Sequence, residues 1–159
     1  MAIRNLVERL TNRGRPPSEP GKQPHSALGF LDGVIPGNVL RNPQIRLYWV
    51  INQPKPIETI WNQIKDAGIH QNIYRGYSSQ AQELILDICA IAEQRRSGRE
   101  LGIPIVLIIR NTQGFVKRSS LDFGVKTHLN WLIKRNGKTG VYLVDAILQG
   151  GNLQFRLSR

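Results

Sequence analysis

Glu83 and Asp87 stand four residues apart in a stretch of helical periodicity, a spacing at which two carboxylates can share a proton or a metal ion. No histidine or third carboxylate joins them at helical spacing, so the pair is read as part of a solvated helix face. His25, His70 and His128 are scattered at no ligand spacing, and the single cysteine, Cys89, excludes the usual zinc patterns. Cys89 lies among apolar residues, where a thiol is an inert core side chain; a reactive one needs an electropositive, partly open setting. Gly137-Lys138-Thr139 resembles the end of a phosphate-binding loop, but Leu132 occupies the position of that loop's first glycine. Nor does an Asp/Glu-x-Lys pair follow the apolar run 103–110. These residues predict no catalytic centre, no metal and no cofactor.

The charge distribution points towards binding. The chain has 22 basic and 11 acidic residues, for a net charge of +11. Most of the excess lies after residue 109, where Arg110, Lys117, Arg118, Lys126, Lys134, Arg135, Lys138, Arg156 and Arg159 face only Asp122 and Asp145. Such a field favours polyanions or an acidic protein surface. Phe115, Phe123 and Trp131 interleave with these cations, as in nucleic-acid faces where rings stack on bases and cations meet phosphates. Strand alternation alone, with rings inward and cations in solvent, produces the same order.

The elements expected to position these residues centre on 78–110. Ala81, Leu84, Ile85, Ile88 and Ala92 follow the i, i+3, i+4, i+7 spacing of a helix near 79–96, closed by Arg95, Arg96 and Gly98. Ile103–Ile109 has no polar face and predicts a central strand near 103–110. Before it, Ile45–Asn52 alternates as a strand, and Ile57, Ile60, Trp61 and Ile64 share a helical face near 56–67. After it, NTQG at 111–114 predicts a turn into a strand near 115–121, and Asn136-Gly137 a hairpin between 129–135 and 141–148. QGGN then turns the chain into 152–158, whose strict alternation predicts an edge strand. The expected fold is α+β, with a mostly antiparallel sheet packed on helices in a single domain at 27–159. Ile88, Val106, Ile108 and Trp131 are expected in one core.

Residues 1–26 form an expected N-terminal helix, with Ile3, Leu6, Val7 and Leu10 on one face, and a Pro/Gly-rich arm. A short lone helix needs something to dock on. No apolar run approaches the length of about 18 residues that a membrane span needs, and no signal-peptide core is seen, so no membrane insertion is expected.

The succession QAQELILDICAIAEQ, GIPIVLII, NTQG, FVKRSS and NWLIKRNGKTGVYLVDAIL resembles the small tail and baseplate subunits of tailed phages and contractile injection machines. In those proteins a helix precedes a strand, a tight turn and long strands that join neighbouring subunits. The resemblance implies a non-enzymatic subunit of a large assembly, located in a virion, whose partners are other subunits. Ile3, Leu6, Val7, Leu10, Leu153, Phe155 and Leu157 are then its candidate assembly contacts, and it offers no catalytic residues. The other reading is a cytoplasmic nucleic-acid-binding protein that uses the basic 110–159 surface.

Overall fold

The strand Ile105–Arg110 (β3) is buried on both faces, with Ile105 to Ile109 at most 1% exposed, because the sheet carries helices on either side. The structure, a computed structural model, describes residues 24–98, 102–117 and 122–159. Most of the expected helix and arm at 1–26, with Ile3, Leu6, Val7 and Leu10, lies outside the described residues, as does Arg118.

Two short helices, Pro24–Ala27 (α1) and Gly37–Leu40 (α2), precede Arg46–Val50 (β1). Then follow Glu58–Asp66 (α3), His70–Tyr74 (β2), Ser79–Gly98 (α4), β3, Thr112–Lys117 (α5), Phe123–Lys134 (α6), Val141–Gln149 (β4) and Asn152–Leu157 (β5). The five strands form one sheet in the order β2-β1-β3-β4-β5; only β4 and β5 run antiparallel.

The chain thus combines helices with a five-stranded sheet, but the sheet is mixed and mostly parallel, where a mostly antiparallel one was expected. The physical reason lies in 112–134. Helices α5 and α6 replace the strands expected at 115–121, as far as that range is described, and at 129–135, so β3 and β4 are joined by a crossover. A crossover of that length returns the chain parallel to where it started. An apolar run without a polar face is the pattern of parallel strands covered on both sides.

Local capping explains both helices. Asn111 adopts the left-handed conformation (φ 54°) that asparagine tolerates, and its side chain accepts from Gly114 N at 3.2 Å. NTQG is therefore a turn, but one that opens α5. Asp122 caps α6 by accepting from Gly124 N at 2.8 Å. Val125, Leu129 and Leu132 then recur at helical spacing, buried. The Asn-Gly pair after them does not build a hairpin. Gly137 takes φ +81° just beyond the helix, the usual way a glycine ends one, and a Cβ there would meet Tyr142 Cε1 at 2.9 Å.

The sheet divides the core in two. On one face Ile88, Leu129 and the partly buried Trp131 pack with Tyr48, Leu107 and Leu143. On the other, Val106 and Ile108 join Trp49, Val144, Ile64 and Leu31. The single core expected for Ile88, Val106, Ile108 and Trp131 is corrected by strand alternation: Val106 and Ile108 point away from α4. The segment 70–74, for which no element was expected, is the edge strand β2. Its Gln71 accepts from Trp49 Nε1 at 3.1 Å and donates to Trp61 O at 2.7 Å. Among the described residues no helix is long and apolar enough to cross a membrane.

Candidate functional site

Helix α6 presents two unlike faces. Opposite its buried stripe, Phe123, Lys126, Thr127, Asn130 and Lys134 fall at i, i+3, i+4, i+7 and i+11 along the outer side. Phe123 is 82% exposed, the most exposed large apolar side chain among the described residues. Trp131, at the margin of this face, carries the guanidinium of Arg135 at 4.6 Å from its ring centroid, a cation–π stack. Lys138 is exposed in the turn that follows. The only carboxylate within 122–138 is the N-cap Asp122.

The remaining basic candidates do not join one face. Parallel topology places the end of α6, with Lys134, Arg135 and Lys138, where β4 begins. Arg95, in the last turn of α4, reaches the same end by donating to Ile103 O at 2.8 Å and Thr139 O at 3.3 Å. Burial there lowers the pKa of its guanidinium from the ordinary value. Arg110, the last residue of β3, and Lys117, the last of α5, lie at the opposite end, where Arg110 donates to Gln53 Oε1 at 3.3 Å. Phe115 is buried and stacked on Tyr77, with ring centroids 4.7 Å apart, so it presents no surface.

A buried polar cluster was missed. Asp145, in β4, is 3% exposed and accepts from Thr112 N at 2.9 Å and Thr112 Oγ1 at 3.3 Å. Thr112 Oγ1 also bonds Ser158 Oγ at 3.1 Å, and Arg156 Nε lies 3.6 Å from Asp145 Oδ2. With Gln113 and Arg159 these residues line a cavity of about 310 Å³. Its signal in the sequence is a lone carboxylate inside the apolar run VYLVDAIL. The cluster ties the first residue of α5 to both C-terminal strands, and its carboxylate is already matched by donors.

The carboxylates four apart on α4 do not form an open pair: Glu83 is exposed and Asp87 is 5% exposed, which also corrects the solvated-face reading for Asp87. Cys89 is buried, its thiol pKa pushed up to about 12, first by burial and then by Glu93. His128 is exposed, with Nδ1 2.7 Å from Gly124 O; the His70 ring lies 5.8 Å from that of Tyr48. Among the described residues no group of three or more His, Cys, Asp and Glu could hold a metal ion.

Leu153, Phe155 and Leu157 are half-buried on the face of β5 that meets the second core, where the Phe155 ring lies edge-on to Phe30 at 4.8 Å and Trp49 at 6.2 Å. Among the described residues, β5 leaves open its backbone edge and the face carrying Gln154 and Arg156. No protein-family model matches the chain, and no curated protein matches it in sequence.

Proposed function

We propose that this protein is a non-enzymatic binding component whose surface for a polyanion, in the first place single-stranded nucleic acid, is the outer face of α6 continued by Arg135 and Lys138. The observation that carries this is Phe123, largely exposed on the same stripe as Lys126 and Lys134. An exposed ring at the head of a stripe of lysines suits base stacking beside phosphate contacts. The lysines are eight residues apart, about 12 Å along the helix axis. Fluorescence anisotropy with a labelled single-stranded oligonucleotide should show affinity falling linearly with log salt concentration. Reversing Lys126 and Lys134 to Glu should remove most binding and flatten that slope. Phe123→Ala should weaken binding about tenfold while keeping the slope, since a stacked base contributes roughly 1–3 kcal/mol. No binding at low salt would end this reading.

A second reading, a subunit of a multi-chain assembly, is favoured by the open edge of β5. A phage tail or baseplate is the form of it that the sequence resemblance suggests. Its support comes from that edge rather than from the succession of elements, because α5 and α6 stand where the resemblance expects strands. Native mass measurement of complexes taken from the protein's source tests it, and a free monomer there would count against it.

A further inference from the structure

We propose that β5 pairs antiparallel with β5 of a second copy of this chain, about a two-fold axis at Phe155; the proposal rests on the assembly reading and names the partner. The phase of the β4–β5 ladder carries it. Asp145 pairs with Arg156 and Ile147 with Gln154, and the same register continues to Leu143 and Ser158, where Ser158 N donates to Leu143 O at 2.9 Å. In an antiparallel ladder, residues alternate between aiming both backbone groups at the partner strand and aiming both away. Ser158, Arg156, Gln154 and Asn152 therefore bond inward, and the N–H and C=O of Leu153, Phe155 and Leu157 point off the edge of the sheet.

Those three residues are also the symmetric, apolar set. Setting Phe155 opposite the second copy's Phe155 sets Leu153 opposite the second copy's Leu157, and every residue of that set presents its free N–H and C=O. About six hydrogen bonds form across the axis. Side chains directly opposite one another share a face, so the half-buried Leu153, Phe155 and Leu157 cover their counterparts. On the other face Gln154 meets the second copy's Arg156, which sets no like charges opposite each other. Moving the axis to Gln154 would leave only Leu153 and Phe155 of the apolar set paired within the strand, with Leu157 opposite Gly151 of the turn, and moving it to Arg156 would set two arginines opposite each other.

Nothing in β5 blocks such pairing. It has no proline, lysine or bulge in its six residues, devices by which edge strands usually avoid association. The other edge, β2, offers His70, Gln71 and Asn72, and a symmetric pairing about Asn72 opposes unlike residues. The axis through Phe155 stands perpendicular to the sheet, so two five-stranded sheets become one of ten with both α6 stripes on the same side.

The interface is small and belongs to the weak, concentration-dependent class. Sedimentation equilibrium of the full chain at several loading concentrations should show monomer and dimer. Amide exchange followed by residue should show Leu153, Phe155 and Leu157 gaining protection as concentration rises, while Gln154, Arg156 and Ser158 are protected throughout. Gln154→Arg, which opposes like charges across the axis, should weaken the dimer several-fold, and Gln154→Glu should strengthen it. Leu153→Pro deletes an N–H that β4 does not use, so it should abolish the dimer while the hairpin persists. A dimer indifferent to these three changes, or an absence of concentration-dependent protection, overturns the pairing. A chain that is monomeric alone yet found in a larger native particle overturns it too, and leaves the assembly reading standing.

Discussion

Strands β3 and β5 belong to one sheet and are built on opposite rules. β3 is apolar at every position from Ile105 to Ile109 because helices cover both of its faces, so neither alternation nor charge is tolerated there. β5 alternates strictly because only one of its faces meets a core, and among the described residues its outer edge meets no strand. The comparison separates where the fold is decided from where the molecule is available. At the centre each side chain is fixed by two layers of neighbours; at the rim, half of the backbone and half of the side chains remain open to a partner.

The sharpest way to break this comparison is a carboxylate in β3. Ile108→Asp would bury an unpaired charge between Trp49 and Val144, far from solvent. Removing one member of a buried ion pair already costs about 3–5 kcal/mol, against a typical domain stability of about 5–15. Loss of soluble yield and of a cooperative thermal transition is expected. A folded variant with a near-normal melting temperature would mean that the second layer does not seal β3.

Next in size is Asp145, which stands between centre and rim. Asp145→Ala strands the buried N–H of Thr112 and leaves its hydroxyl with Ser158 alone, and should cost about 1–3 kcal/mol in urea unfolding. Asp145→Asn should recover most of that, because the amide oxygen still accepts from Thr112. If alanine and asparagine behave alike, the cluster does not anchor α5.

How much of this was legible follows from the same comparison. The core of β3, the apolar face of α4 and the alternation of β5 are period signals within one element, and their apolar residues were read as buried, although Asp87 of α4 was read as solvated and Val106 and Ile108 of β3 were assigned to the wrong layer. What failed was the pairing between elements. The Asn136-Gly137 signal marks a left-handed glycine, and such a glycine ends a helix as readily as it turns a hairpin. The deciding sign was Asp122 followed by Val125, Leu129 and Leu132 at helical spacing, which outweighs a dipeptide. β2 was missed because an edge strand of five half-buried, mostly polar residues carries little periodicity. Of the site, the cations were visible but not their division between the two ends of the sheet, which depends on which connections are crossovers.

Cys89 tests the central layer from the helix side at smaller effect. With the folded-state pKa raised to about 12, the native protein holds its proton where an unfolded chain releases it, above about 8.5. The contribution is therefore fully present below that pH and is lost as pH rises towards 12. Between pH 8.5 and 10, wild type should lose stability more steeply than Cys89→Ala. Thiol labelling at pH 8 should wait for unfolding. Rapid labelling of the native chain would show that α4 does not seal the layer.

The smallest effect is expected at Arg156. Its side chain is 62% exposed and its contact with Asp145 is 3.6 Å, so solvent screens most of the attraction. Asp145 does not depend on it, since Thr112 supplies two donors to the same carboxylate. Arg156→Gln keeps the alternation, the aliphatic stem and the inward ladder bonds of β5, and should change monomer stability by less than about 1 kcal/mol. The same change replaces the cation that faces Gln154 across the proposed two-fold with a neutral donor, so the dimer should survive it, while Arg156→Gln combined with Gln154→Arg should restore what Gln154→Arg alone removes. Urea midpoints at low concentration report the first effect and sedimentation the second. A destabilisation as large as that of Asp145→Ala would place Arg156 in the interior and end the contrast between an anchored centre and an open rim.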